Sequence, residues 1–216
     1  MSEALNAPPD QAEVVAAFDF DGTLTWRDTL GPFLRRLLGW PGLLRVLILT
    51  SPWLLAYVLR LTSNHRAKAR LLQAALAGRR VEDVQRCAEA FVGQDLPLQW
   101  RPWALRQLVA HQQAGHRCVL VSASTSPYMH LVGASLRVDA VLCTEMEVVD
   151  TRYSGRMATP NCHGVEKARR LQDLIARSLG DAPVVLHAYG DTAGDFPMLR
   201  LAHIAWYRER AWPRRR

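Results

Sequence analysis

Apolar residues first run together in "VVAAF", Val14 to Phe18, and then give way to Asp19, Phe20, Asp21 and Gly22. A short unbroken apolar run closed by turn residues predicts a strand buried on both faces. Side chains alternate along a strand, so Asp19 and Asp21 point one way while Phe18 and Phe20 point into the protein. Over residues 31–99 the apolar positions recur instead at helical spacing, in "PFLRRLLG", "GLLRVLILTSPWLLAYVLRL", "RAKARLLQAALAG" and "VEDVQRCAEAFVG". Gly39, Pro41, Gly42, Gly78 and Gly93 punctuate this block. From Trp100 onward helix and strand patterns alternate. The helix "WALRQLVAHQQAG" leads to the strand "CVLVSAS", a helix begins near Pro127, and "AVLCTEMEV" reads as one strand. A hairpin is expected in "VVDTRYSGRM", turning around Tyr153 to Gly155. A helix from Val165, the strand "VVLHAYGD", a short helix "AGDFPMLRLA" and a last strand "HIAWYR" complete the chain.

Strands spaced by amphipathic helices form right-handed units around a parallel sheet. The expected fold is therefore α/β, a Rossmann-like, mainly parallel sheet with helices on both faces. Residues 1–30 and 100–216 would form the core, and residues 31–99 a helical cap inserted after the first strand. The 216 residues suffice for this. The opening "MSEALNAPPDQA" holds two prolines and no apolar stretch, which reads as a flexible lead-in rather than a secretory signal. Four scattered cysteines, Cys87, Cys118, Cys143 and Cys162, show no zinc-ligand spacing and no disulfide framework, which suits a reducing, cytoplasmic setting. A formal charge of +7 favours anionic partners: phosphorylated metabolites, acidic lipid headgroups or nucleic acid. Nucleic acid is not expected, because no nucleic-acid-binding motif accompanies the charge.

Open parallel sheets bind ligands at the carboxyl ends of their strands. Asp19 and Asp21 end the first strand, Ser122 and Ser124 end "CVLV", Asp191 ends "VVLHAYG", Asp195 lies on the next turn, and Lys167 begins a helix. Carboxylates, hydroxyls and one ammonium on a single sheet edge suit magnesium and phosphoryl oxygens. Each residue also has a plainer reading. Ser122, Ser124 and Asp195 serve as helix caps elsewhere, and an isolated lysine at a helix start is usually solvated.

Four segments, "DFDGTLT" (residues 19–25), "VLVSAS" (residues 119–124), Lys167 within "GVEK", and "GDTAGDFPML" (residues 190–199), occur in the order found in the haloacid dehalogenase superfamily, which the chain resembles. The insertion after the first strand resembles the phosphoserine phosphatase subgroup. The resemblance implies that Asp19 is a nucleophile forming an aspartyl phosphate. It implies that Mg2+ is held by Asp19, Asp191 and the backbone carbonyl of Asp21, and that Asp21 is the general acid and base. Ser122, Ala123, Ser124 and Lys167 would meet the phosphoryl group and substrate, with Asp195 and Thr23 behind them. The chain departs from phosphoserine phosphatases in having Gly22 where serine is usual and Ala123-Ser124 where Gly-Gly is usual. Asp28 stands near the place of a glutamate that meets the substrate ammonium; otherwise it caps the following helix.

The segment "VLILTSPWLLAYVL", residues 46–59, is apolar nearly all round and lies between Arg45 and Arg60. A helix of that length spans about 21 Å, short of the ~30 Å hydrocarbon core, and Pro52 is expected to bend it. Two readings follow: a helix lying in a headgroup region, with Trp40, Trp53 and Tyr57 at the interface, or a helix buried inside the cap. The basic end "RERAWPRRR" favours an anionic lipid surface, and the layout resembles the apolar cap of phosphatidylglycerophosphatase C. A phospholipid headgroup phosphate is the expected substrate, at the inner face of the membrane. A soluble, phosphoserine-like phosphatase and a catalytically silent phosphate- or RNA-binding protein are the alternatives.

Overall fold

The computed structural model describes residues 12–213. The lead-in up to Gln11 and the terminal "RRR" lie outside the described residues. Strand β1 (Glu13–Phe18) occupies the centre of a six-stranded sheet with order β3-β2-β1-β6-β7-β8. β2 (Arg117–Thr125), β3 (Ala140–Thr144), β6 (Val184–Gly190) and β7 (Ile204–Tyr207) join β1 in parallel, and the short β8 (Arg210–Ala211) closes one edge antiparallel. The sheet is thus the mainly parallel α/β sheet that the alternation of elements predicts.

Alternation of side chains divides the interior in two. Ala16, Phe18 and Phe20 join Cys118, Leu120 and Tyr189 in a core that includes Leu108 of helix α4 (Pro102–Gln113) and Tyr128 of α5 (Ser126–Leu136). Val15 and Ala17 face the other way, with Val119, Leu186 and Ala188, against Leu171 of α6 (Val165–Leu179) and Leu199 of α7 (Phe196–Leu201). A strand covered on both faces has no polar side, which is why "VVAAF" carries no charge.

Between β1 and α4 lie three helices, α1 (Leu30–Val58), α2 (Asn64–Leu76) and α3 (Val81–Ala90), followed by a π-turn (Phe91–Asp95) and a 3-10 turn (Leu96–Gln99). Phe33 of α1 packs 4.7 Å from Tyr128 and 5.7 Å from Phe91, an aromatic joint between these helices and the sheet layer. The strand expected over "AVLCTEMEV" is two strands: after β3 the chain enters a separate hairpin, β4 (Met146–Val149) with β5 (Arg152–Met157). Its turn falls at Asp150 and Thr151 rather than at Tyr153 to Gly155, and Asp150 takes the left-handed φ of 54° that such a turn needs. The hairpin backs the inserted helices, with Gly78 N–H donating to Tyr153 O at 2.8 Å.

Helix α1 also differs from expectation. Gly39, at φ 66° and ψ 172°, breaks it, whereas Pro41, Gly42 and Pro52 are absorbed without a non-helical residue. A proline near the start of a helical segment forfeits an N–H that has no partner in any case, which explains Pro41 just after the break. The segment after the break, residues 40–58, is about 28 Å long, so it exceeds the length expected from residues 46–59 alone.

On the α4 side of the sheet, His111 is buried with both ring nitrogens engaged, its ring 6.0 Å from that of Phe18. Nδ1 lies 2.7 Å from His116 Nδ1 and Nε2 lies 2.8 Å from Tyr189 Oη. Burial, reinforced by His187 and His116, pulls its pKa down to about 4. A histidine depressed by folding contributes stability that is present above its unfolded pKa and is lost as pH falls towards the folded one. Urea unfolding between pH 6.5 and 4 should therefore show an acid loss on the order of 2 kcal/mol that His111→Gln diminishes; an identical acid slope in the variant would exclude His111 as its source.

Candidate active site

After β1 the chain turns sharply, with Phe20 O accepting from the N–H groups of Thr23 (3.2 Å), Leu24 (2.9 Å) and Thr25 (3.1 Å). Gly22 makes the turn possible for two reasons. Its φ is 81°, and a Cβ there would lie 2.7 Å from Cγ of Asp191, inside van der Waals contact. The same turn carries Thr23, whose hydroxyl lies 3.1 Å from Asp19 Oδ2 and 3.1 Å from Asp191 Oδ1. One hydroxyl has one proton, so at any moment one of these carboxylate oxygens receives nothing from it.

Lys167 reaches this place from the first turn of α6 and is 3% exposed. Its ammonium is bonded to Asp19 Oδ1 and, at 2.6 Å, to Asp195 Oδ1. Burial works against its charge, but the two aspartates outweigh it and raise its pKa. Asp195 is buried as well. Its second oxygen accepts from Thr192 N (2.9 Å), Thr192 Oγ1 (2.8 Å) and Asp191 N (3.2 Å), which fixes the turn that follows β6. Burial raises the carboxyl pKa of Asp19 and of Asp191; the charge of Asp195 adds to it in both cases, and Lys167 opposes it in both.

Asp21 stands apart from this cluster. One oxygen accepts from Thr29 N (2.7 Å) and Thr29 Oγ1 (2.6 Å), the other from Ser124 Oγ, and Tyr128 Oη donates to Ser124 Oγ at 2.8 Å. Burial and then the charge of Asp28 push its pKa up to about 6, although the hydroxyl bonds pull the other way. That is a group able both to hold and to release a proton near neutrality.

Among the described residues, ligand atoms of Asp19, Asp191 and Asp195 lie within 4.8 Å of one another. A hard divalent cation suits this set: the donors are carboxylate oxygens, the charges repel, and Thr23 alone cannot satisfy both neighbours. Asp195 joins the group where the sequence placed it behind the metal, but its oxygens are already committed to Lys167 and the turn. Asp19 and Asp191 therefore keep the capacity to hold the ion, with the Asp21 side chain directed elsewhere.

A cavity of about 440 Å³ opens over Asp19, Asp21 and Lys167. Ala123 and Ser124 line it, whereas Ser122 is fully buried and accepts from Ser124 N at 2.9 Å through its hydroxyl. Asp28 lines the rim and also caps α1, accepting from Leu30 N at 3.0 Å, so the two readings of that residue coexist. Lys68 of α2 was not singled out from the sequence. Its ammonium bonds to Ala123 O and, at 3.2 Å, to Asn161 Oδ1. Burial lowers its pKa to about 8 against the pull of Asp21 and Asp28. The sequence did contain a signal, since Lys68 lies four and eight positions before the buried Leu72 and Leu76, on the apolar stripe of its helix. His163, also on the cavity wall, carried no such signal.

The haloacid dehalogenase-like hydrolase family model matches residues 16–200. The chain is 34% identical to Protein CicA of Caulobacter vibrioides over 203 residues, 90% of this chain and 86% of that one. It is 32% identical to a phosphoserine phosphatase of Idiomarina loihiensis over 123 residues, 55% of this chain and 56% of the relative. A Bordetella pertussis Tohama I protein of unknown function shares the fold with a TM-score of 0.76 at 24% identity, covering 90% and 89% of the two chains. A phosphoserine phosphatase in apo form shares it with a TM-score of 0.61 at 16% identity, covering 90% and 86%.

A site of repelling carboxylates should be stabilised by the cation it selects. Adding Mg2+ to cation-free protein is expected to raise its melting temperature, and Asp191→Asn to abolish most of that rise. An equal rise in the variant would remove Asp191 from the metal site.

Proposed function

Because the chain belongs to the haloacid dehalogenase-like hydrolases and is a phosphatase, we propose that it hydrolyses phosphomonoesters with Asp19 as nucleophile and Mg2+ as cofactor, on substrates presented at a lipid surface. The observation that carries the chemistry is the placement of Asp19 between Lys167 and Thr23 at the floor of the cavity, with Asp21 on the same wall. The Asp19 carboxylate attacks phosphorus while the ester P–O bond breaks, giving an aspartyl phosphate. Asp21, held by Thr29 and Ser124, gives its proton to the leaving oxygen and then takes one from the water that opens the intermediate. Lys167 meets the phosphoryl oxygens, and Asp195 keeps Lys167 in place. Asp19, Asp191 and the Asp21 carbonyl would hold the Mg2+, which neutralises charge between the carboxylate and the phosphoryl group.

The substrate reading rests on α1. One stripe, Leu43, Val46, Thr50 and Leu54, turns inward, while Leu44, Ile48, Leu55 and Val58 on the outer side are all more than half exposed. Trp40, Trp53 and Tyr57 are exposed too, with Arg35 5.5 Å from the Trp40 ring and Arg70 5.4 Å from the Trp53 ring. Of the two readings open for this segment, the exposure favours the helix at a headgroup layer, apolar on one side and rimmed by cations. Leu30, Leu54 and Tyr57 of the same helix also line the cavity, so an acyl-bearing substrate could stay partly in its layer while its phosphate reaches Asp19. A second reading is favoured by Asp28 and Lys68, opposite charges on one cavity wall, which would suit the ammonium and carboxylate of an amino-acid phosphate such as phosphoserine.

Release of inorganic phosphate from phosphatidylglycerophosphate, lysophosphatidate and phosphoserine, each with Mg2+, separates the readings. The lipid phosphates should give the higher kcat/KM, and a clear preference for phosphoserine would replace the lipid reading with the second. Asp19→Asn should abolish turnover, and Asp21→Asn should slow it by about 10²–10⁴-fold while still binding substrate. Full activity in Asp19→Asn would overturn the nucleophile. Ile48→Glu with Leu55→Glu, both on the outer face, should release the protein from anionic vesicles and leave hydrolysis of p-nitrophenyl phosphate unchanged.

A further inference from the structure

Away from the aspartates, α5 and the end of β3 bring together three side chains that the phosphatase chemistry does not use. His130 Nε2 lies 3.0 Å from Glu145 Oε1, Cys143 Sγ lies 3.2 Å from the same oxygen, and sulfur and nitrogen are 4.0 Å apart. All three ligand atoms fall within 4.8 Å of one another. Tetrahedral zinc, with bonds of about 2.3 Å to sulfur and 2.0 Å to nitrogen or oxygen, requires ligand atoms roughly 3.3–3.6 Å apart. The trio brackets that value before any ion is present. We propose that His130, Cys143 and Glu145 form a second metal site, for zinc or a cation of similar softness, with its fourth position open to a cleft of about 380 Å³ beside Ser126 and Tyr153.

Ligand chemistry separates this site from the first. Thiolate and imidazole select zinc or cobalt, whereas the all-carboxylate set around Asp19 suits magnesium. Charge also balances: one thiolate and one carboxylate neutralise a dication, so the ion adds no uncompensated charge beside the buried Cys143. On binding, the Cys143 S–H bond breaks, its proton leaves to buffer, and a metal–sulfur bond forms with no change of oxidation state. The backbone is already fixed around the site. Glu145 N–H donates to Thr159 Oγ1 at 3.0 Å, and Arg170 Nη1 donates to Cys143 O at 2.6 Å. The scattered cysteine spacing gave no hint of zinc, because His130 comes from a helix thirteen residues before Cys143 and the two meet only through α5 packing on β3. An ion here would clasp α5, which begins directly after the end of β2 that carries Ala123 and Ser124, to the edge of the sheet. The expected consequence is stability.

Cobalt(II) reports the site by spectroscopy. In Mg2+-loaded protein with a non-thiol reductant, one equivalent of Co2+ should produce a near-ultraviolet thiolate-to-cobalt charge-transfer band, which Zn2+ abolishes by displacement. Cys143→Ser should lose the band, and His130→Gln should weaken cobalt binding at least about tenfold; both should keep phosphatase activity. No thiolate band at stoichiometric Co2+ would show the trio to be only a hydrogen-bonded cluster. A band that survives in Cys143→Ser would assign it to another cysteine and overturn the proposal. Should Cys143→Ser fail to fold, unchanged cobalt affinity in His130→Gln, at an exposed position, would overturn it equally.

Discussion

Repulsion among aspartates at one edge of the sheet is the constraint around which the rest of the molecule is arranged. Asp19, Asp191 and Asp195 meet where β1 and β6 end, and the Lys167 ammonium is bonded to two of them, Asp19 and Asp195. Like charges held this close in a buried place favour the neutral acids unless cations are supplied. The chain supplies one cation itself, in Lys167. Gly22 lets the Asp191 carboxylate come close, because any side chain there would occupy its space.

The two-faced sheet delivers these groups. Parallel strands buried on both sides leave only their ends for polar chemistry, so β1, β2 and β6 each carry their polar residues just past the last apolar position. Asp21 extends the logic in the other direction. It lies two residues from Asp19 yet is held by a separate hydroxyl network of Thr29, Ser124 and Tyr128. Two carboxylates from one turn thus have different surroundings, which is what a division between nucleophile and proton carrier requires.

Above the site, the inserted helices close the cavity with Leu30, Leu54 and Lys68, and present an apolar outer side on α1. A soluble helix normally hides such residues. Here the inward stripe is already filled by Val46, Thr50 and their neighbours, and among the described residues nothing covers the opposite side. Wall and surface are thus two sides of one helix.

Much of this was legible in the order of residues alone. "VVAAF" before Asp19, the helical block, and the alternating elements from Trp100 onward depend on local periodicity, and a strand or helix reads the same from any direction. The strand-end rule and the resemblance put Lys167 on the same edge as Asp19, but their direct bond needed the folded chain, because 148 residues separate them and no local pattern links them. Other features needed the tertiary structure outright. Whether "VLILTSPWLLAYVL" is covered depends on which elements pack against it, and an all-round apolar composition is silent about that. The split of "AVLCTEMEV" into two strands, the descent of Lys68 to the Ala123 carbonyl, and the meeting of His130 with Cys143 and Glu145 are likewise decided by long-range packing. The sequence by itself determined which residues could carry charge and chemistry at the strand ends; only the folded chain decided which of them share a cavity, because distance in space is set by how layers stack and not by distance along the chain.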